Sequence, residues 1–330
     1  MRPAEPARSS VFQVADSGGA VPEETAVRDC LQQKPPRLPA WVGYDTVGSA
    51  LFEQITGLPT YYLTRVERGL LERHSHEVAE LLACGRLAEL GSGSAKKTRL
   101  LLENCVRLRE TTYLPVDVDR DMLRASGEAL CSEMDRLRFT GLWGRYEDGL
   151  AWLRTHPGEP LAVAFLGSNL GNATPGERGQ LLAEIARSLG PGEGFLVSAD
   201  LDKSREALET CYNDPAGHSA FADFRLNYLT QLNRRYNAGF GLGDFVPEAR
   251  YNAETATVEG RLRALSDQTV PIPGLGLTLR IHRGQHLNVG YSAKFDQQEL
   301  AREVAAHGFG LRAQWQDHDA QYALFLFLRG

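Results

Sequence analysis

The chain has 330 residues, 42% of them hydrophobic and 24% charged, with a formal net charge of -6. That length can bury a substantial core in one large domain or two, and the negative balance excludes broad nucleic-acid binding, which needs a basic field. No apolar run approaches the length that crosses a bilayer, and five scattered cysteines (Cys30, Cys84, Cys105, Cys131, Cys211) give neither a disulfide framework nor a zinc knuckle.

The opening stretch "MRPAEPARSSVFQVADSGG" lacks the apolar centre of a signal peptide, and its Pro, Ser and Gly content predicts disorder over residues 1–20. The expectation is a soluble, cytoplasmic, monomeric protein with no membrane or nucleic-acid partner. Residues 21–64 follow with "GYDTVGSALFEQITGLPTYYLTR". In "HSHE", His74 and His76 stand two apart and diverge on a helix, and HExxH is absent, so no metal site is expected.

From Arg86 the chain alternates. "RLAEL", "TYLPVDVD", "RFTGLWG", "LAVAFLG" and "GFLVSAD" read as strands, with helical stretches such as "KKTRLLLENCVRLRE" and "PGERGQLLAEIARSLG" between them. Apolar strands alternating with amphipathic helices predict an α/β fold, a parallel sheet covered on both faces. Residues 201–293 break the rhythm, helical at "SAFADFRLNYLTQLNRRYNA" and strand-like at "TATVEGRLRALSD" and "LTLRIHRGQHLNVGYSAKF". With residues 21–64 they predict a second, α+β domain that binds substrate over the carboxyl edge of the sheet. Residues 65–200 and 294–330 carry the sheet, which ends in a helix and two strands, "LRAQWQD" and "QYALFLFLRG".

The first strand runs into "LGSGSAKKT". Read as a P-loop, Gly91 begins the motif and Lys97-Thr98 end it, but Lys96 replaces its second glycine. Read as a dinucleotide fingerprint, Gly91 and Gly93 fit and Lys96 replaces the third glycine. Read as the turn of class I methyltransferases, Glu89, Gly91 and Gly93 fit, and no phosphate has to be cradled. The turn alone leaves the choice open. The next strand ends in "PVDVD", 26 residues after Gly91. Asp119 suits a helix cap and leaves Asp117 for ribose hydroxyls. After the fourth strand, "FLGSNLGN" offers close backbone approach and amide groups.

Taken together, "YDTVGSALFEQITGLPTYYLTRVE", "ELGSGSAKKTRLLL", "PVDVD", "FLGSNLGN", "YNDPAGHSAFADFRLNYLTQLNR" and "YSAKF" resemble the histidine-specific Nα-methyltransferases of the ergothioneine pathway. They also resemble fungal relatives that methylate the amine of a prenylated tryptophan, and "GLWGRYEDGLAWL" is closer to that branch. The resemblance covers residues 40–330 in order. It implies a Rossmann-like class I methyltransferase sheet, S-adenosyl-L-methionine as cofactor and a small-molecule amino acid as substrate, methylated on its α-amine.

The resemblance further implies cofactor contacts at Gly91, Lys97, Asp117, Tyr146 and Gly167. It implies substrate contacts at Tyr44 and Phe52, a catalytic tyrosine at Tyr61 beside the amine, Asn172 and Tyr212 on the substrate carboxylate, and Ser292 near the side-chain end. Arg145 stands where an acidic residue near the adenine is expected. Gly290 stands where histidine-specific relatives carry a glutamate, and Gly260 where they carry a methionine. Both losses point to a pocket for an aromatic amino acid bulkier than histidine, tryptophan or a derivative. If instead the two glycines mark bulges or a slipped register, Glu259 supplies the missing carboxylate and histidine itself is the substrate, yielding hercynine for ergothioneine synthesis.

Overall fold

The computed structural model describes residues 8–14 and 21–330. The apolar runs read as strands are buried on both faces and assemble as neighbours. β1 (Ser9–Gln13), β2 (Arg86–Leu90), β3 (Thr111–Asp117), β4 (Leu137–Trp143), β5 (Leu161–Phe165) and β6 (Gly194–Asp200) join in parallel in the order β1-β4-β3-β2-β5-β6. The intervening helices are α1 (Glu23–Leu31), α2 (Thr46–Thr56), α3 (Leu63–Leu82), α4 (Thr98–Leu108), α5 (Arg120–Glu133), α6 (Tyr146–Thr155) and α7 (Pro175–Ser188).

The chain then leaves the sheet through α8 (Arg205–Tyr212) and α9 (Ala220–Tyr236). It forms β7 (Phe245–Asn252), β8 (Thr257–Ala264), β9 (Gln268–Ile272), β10 (Leu277–Ile281) and β11 (His286–Ala293). α10 (Gln297–Ala305), β12 (Phe309–Asp317) and β13 (Tyr322–Arg329) return, β13 pairing antiparallel with both β6 and β12. A parallel sheet closed by an antiparallel pair is the class I methyltransferase arrangement expected above.

Three apolar clusters hold these layers together. On one face of the sheet Leu70, Leu71, Leu101 and Leu130 pack with Leu87, Tyr113, Phe139 and Leu324. On the other, Leu150, Leu182, Ile185 and Leu300 pack with Leu90, Val163, Phe165 and Phe325. Such double coverage explains the unbroken apolar strands. The third cluster joins Val27, Leu31 and Val42 to Tyr228, Leu229, Leu262, Ile272 and Leu287. Residues before α3 are thereby fixed to the segment between β6 and α10.

Asp45 strengthens that junction. Its carboxylate caps α2 by accepting from Gly48 N at 3.0 Å, and accepts from Asn227 Nδ2 at 2.9 Å and Gln231 Nε2 at 2.7 Å on α9.

The expectation of disorder over residues 1–20 fails at Ser9–Gln13, which pair with Phe139–Trp143 of β4. Without β1 that edge of the sheet would present an unpaired row of backbone groups. Residues 1–7 and 15–20 of the same expectation lie outside the described residues. Among the described residues no helix is long and apolar enough to cross a membrane.

Candidate active site

From β2 the chain proceeds outward to β3 and β4, then returns to the other side of β2 as β5 and β6. The reversal opens a crevice between the carboxyl ends of β2 and β5, where open α/β sheets bind ligands. Gly91 follows β2 and Gly167 follows β5, both in the left-handed region, with φ of 71° and 77°. Side chains are strained at such angles. A Cβ on Gly91 would stand 2.7 Å from Tyr146 Oη and 3.2 Å from Asn169 Nδ2. Bare backbone keeps this cradle open.

Asp117, at the tip of β3, closes one side. Its Oδ2 accepts from Gly93 N at 2.8 Å and its Oδ1 from Asp119 N at 3.0 Å. Burial raises its pKa, with the backbone donors opposing. Asp119 caps α5 by accepting from Met122 N at 3.0 Å, as expected. Tyr146 sets its ring edge-on to Phe165 at 5.2 Å and brings its hydroxyl to the Gly91 turn. Burial raises the Tyr146 phenol, which stays a protonated donor.

Lys97 is tied to a residue that the sequence did not single out. Glu67, buried on α3, pairs with the Lys97 ammonium and accepts from Gly167 N at 2.6 Å and Tyr322 Oη at 3.0 Å. Burial by itself would raise Glu67, but Lys97 and these donors hold it below the usual carboxylate range. Glu67 thus fastens Lys97 and the Gly167 turn in one place. Lys96 points outward to Glu53 at 2.6 Å. Arg145, in the expected acidic position, donates to the Val21 carbonyl and lies over Trp41, its guanidinium 5.6 Å from the ring centroid. An open cleft lined by Tyr44, Val118, Trp143 and Asp148 continues on that side.

Glu89 faces inward rather than into the crevice. Thr98 Oγ1 donates to it at 2.7 Å and the Tyr113 hydroxyl donates to its other oxygen, while burial pushes its pKa up to about 7. A folded-state value above the unfolded one means that the native protein holds this proton more tightly. The resulting stability is complete below about pH 4.3 and is lost as pH rises through about 7. Glu89→Gln, which fixes the neutral form, is expected to match wild type in thermal melts at pH 4. At pH 8 it should exceed wild type by about 1–3 kcal/mol. The same difference at both pH values would show that Glu89 does not titrate there.

Beside the crevice lies a cavity that is partly open to solvent. Tyr44, Phe52, Tyr61, Asn172, Tyr212, Gly260, Gly290 and Ser292, separated by up to 248 positions in the chain (292 − 44), all line it, together with Gly167. Its walls are aromatic. Tyr44 meets Phe52 at 5.6 Å and Phe224 at 5.2 Å, and Tyr61 meets Phe52 at 6.4 Å, Phe221 at 5.8 Å and Tyr212 at 5.9 Å, all five edge-on. Burial holds the Tyr61 phenol far above its ordinary range, so it stays protonated at neutral pH.

Behind Tyr212 lies a buried ionic cluster. The Lys294 ammonium donates to Tyr212 Oη at 2.8 Å, Ser292 Oγ at 3.0 Å and Asp200 Oδ2 at 2.8 Å, which uses all three of its protons. Lys203 pairs with Asp200 Oδ1 at 2.6 Å, so two ammonium groups share one carboxylate. Tyr212 and Ser292 are themselves bonded at 2.9 Å. With lone pairs taken up by Lys294, one of their two hydroxyl protons is left to point into the cavity. Lys294 stands inside the quoted "YSAKF" with its partner Ser292, yet only the fold shows its other two partners, which come from β6 and α8.

Gly260 and Gly290 face each other directly across β8 and β11, beside a bulge between Asn288 and Gly290. A Cβ on either would stand 3.3 Å from the other's Cα. Glu259, the candidate replacement carboxylate, does not line the cavity. It accepts from Arg261 Nη2 at 2.7 Å and Asn252 Nδ2 at 3.2 Å. Neighbouring strand residues point to opposite faces, which turns Glu259 away when Gly260 faces the cavity.

Residues 23–329 match the family described as histidine-specific, SAM-dependent methyltransferases. A histidine N-alpha-methyltransferase of Mycobacterium tuberculosis is 38% identical over 298 residues, covering 90% of this chain and 91% of that protein. One from Mycolicibacterium smegmatis is 36% identical over 306 residues, covering 92% and 94%. An L-tryptophan methyltransferase of Psilocybe serbica is 28% identical over 324 residues, covering 88% of each.

Proposed function

The chain belongs to the histidine-specific, S-adenosylmethionine-dependent methyltransferases, and on that premise we propose that it methylates the α-amino group of an aromatic amino acid bulkier than histidine, tryptophan or a derivative. The observation that carries this reading is the cavity wall. Two facing glycines stand there, aromatic rings surround it, and Glu259, the carboxylate proposed as a substitute, is engaged elsewhere. Such a wall gives an imidazole no carboxylate partner. L-histidine is the second reading, favoured by the names of the two mycobacterial relatives.

The crevice fits S-adenosylmethionine. Asp117 would take the ribose hydroxyls, the Lys97 ammonium the amino acid carboxylate, and Gly91, Gly167 and Tyr146 would border it. The cofactor supplies an activated methyl group on a sulfonium. The chain's own task is alignment, since holding reactants in line is worth up to about 7–11 kcal/mol. Asn172 and the Tyr212 hydroxyl, itself bonded to Ser292, would hold the substrate carboxylate, with the excess positive charge of Lys294 and Lys203 behind them. The Tyr61 hydroxyl, kept as a neutral phenol, makes no hydrogen bond to another described residue. Its oxygen is free to accept from the amine and aim the nitrogen lone pair.

The test is mass spectrometry after incubation with S-adenosylmethionine and a panel of amino acids. Methylation at the α-nitrogen is expected, with larger aromatic amino acids preferred over histidine. A clear preference for histidine over every larger member would establish the second reading.

A further inference from the structure

Arg225 lies on α9 and lines the cavity at the wall of the two glycines. Its Nε would stand 3.3 Å from a Cβ on Gly260, so the guanidinium occupies part of the room that the glycines leave. The side chain is buried, and one of its five N–H donors is used by the Tyr212 carbonyl. Phe221 covers its plane at 5.0 Å.

Among the described residues no carboxylate pairs with it. The acidic groups that act on it from a distance are engaged elsewhere. Asp214 accepts from Phe221 N and Ala222 N, both at 2.8 Å, and Glu248 from Arg250 Nη2 at 3.1 Å. Burial lowers the guanidinium to about 10, which leaves it charged at neutral pH. A buried cation with open donors is costly unless something completes its hydrogen bonds.

We propose that Arg225 receives a hydrogen-bond acceptor carried by the substrate's side chain, so that the preferred substrate is an aryl amino acid bearing an oxygen, as a phenol or a carboxylate, on its ring. This rests on the α-amine methylation proposed above and narrows its substrate. The aromatic walls take the ring, and the guanidinium takes the oxygen. An imidazolium is disfavoured by like charge, and an unsubstituted ring leaves the guanidinium donors unpaired.

The experiment compares kcat/KM, by mass spectrometry with the full chain and S-adenosylmethionine, within near-isosteric pairs. These are tyrosine against phenylalanine, 5-hydroxytryptophan against tryptophan, and 4-carboxyphenylalanine against phenylalanine. The oxygen-bearing member of the best pair is expected to lead by about tenfold or more. In Arg225→Met that ratio should collapse to about threefold or less. The proposal is overturned if no pair shows the preference in wild type, or if the preference survives in Arg225→Met. Should the variant fail to fold, the wild-type ratios decide alone. Absence of α-nitrogen methylation on any amino acid would overturn the reaction reading itself, and this proposal with it.

Discussion

Asp200→Asn is expected to lose about 3–5 kcal/mol of folding stability, measured as a shift in the urea unfolding midpoint. The carboxylate is fully buried and joins Lys294 at 2.8 Å, Lys203 at 2.6 Å and the Tyr62 hydroxyl at 2.9 Å. An amide in its place leaves two ammonium groups side by side with no counter-charge, one of them wholly inaccessible to water. Removing one cation as well should relieve part of that repulsion. The double variant Asp200→Asn/Lys294→Met is therefore expected to be more stable than Asp200→Asn alone, a coupling that independent sites would not show. If the two losses simply add, the cluster is not acting as one electrostatic unit.

Decarboxylated amines such as tryptamine, tyramine and histamine are expected to react with kcat/KM lower than their parent amino acids by about 10³-fold or more. The groups proposed to hold the carboxylate sit against a cluster carrying two cations for one anion. An amine without its carboxylate leaves those donors and that charge uncompensated. It also frees the nitrogen to rotate out of line with the methyl group. Product formation by mass spectrometry over a concentration series gives the ratio directly. Turnover of any such amine within about tenfold of its parent amino acid would show that Asn172 and Tyr212 serve some other purpose.

Local pattern made the framework legible from the sequence. Apolar runs such as "LAVAF" and "GFLVSAD", spaced by amphipathic helices, announced a doubly covered parallel sheet, because a strand buried on both faces has no polar side to display. Asp119 declared itself a cap by position alone, since capping depends on the next three residues. The family resemblance, not local pattern, implied that Tyr44, Tyr61, Asn172, Tyr212 and Ser292 share one site, and they line one cavity.

What the tertiary structure decided is the electrostatics, because charge pairing is set by distance in space and not by spacing in the chain. Nothing near Lys97 in sequence points to Glu67, 30 residues earlier, and nothing near Lys294 points to Asp200, 94 residues earlier (294 − 200). Whether Glu259 could replace a missing carboxylate depended on which face of β8 it takes, and pairing with β11 turned it outward. Arg225 reads in sequence as one more polar residue of an amphipathic helix. Only the packing of α9 under the two glycines makes it a buried cation facing the cavity.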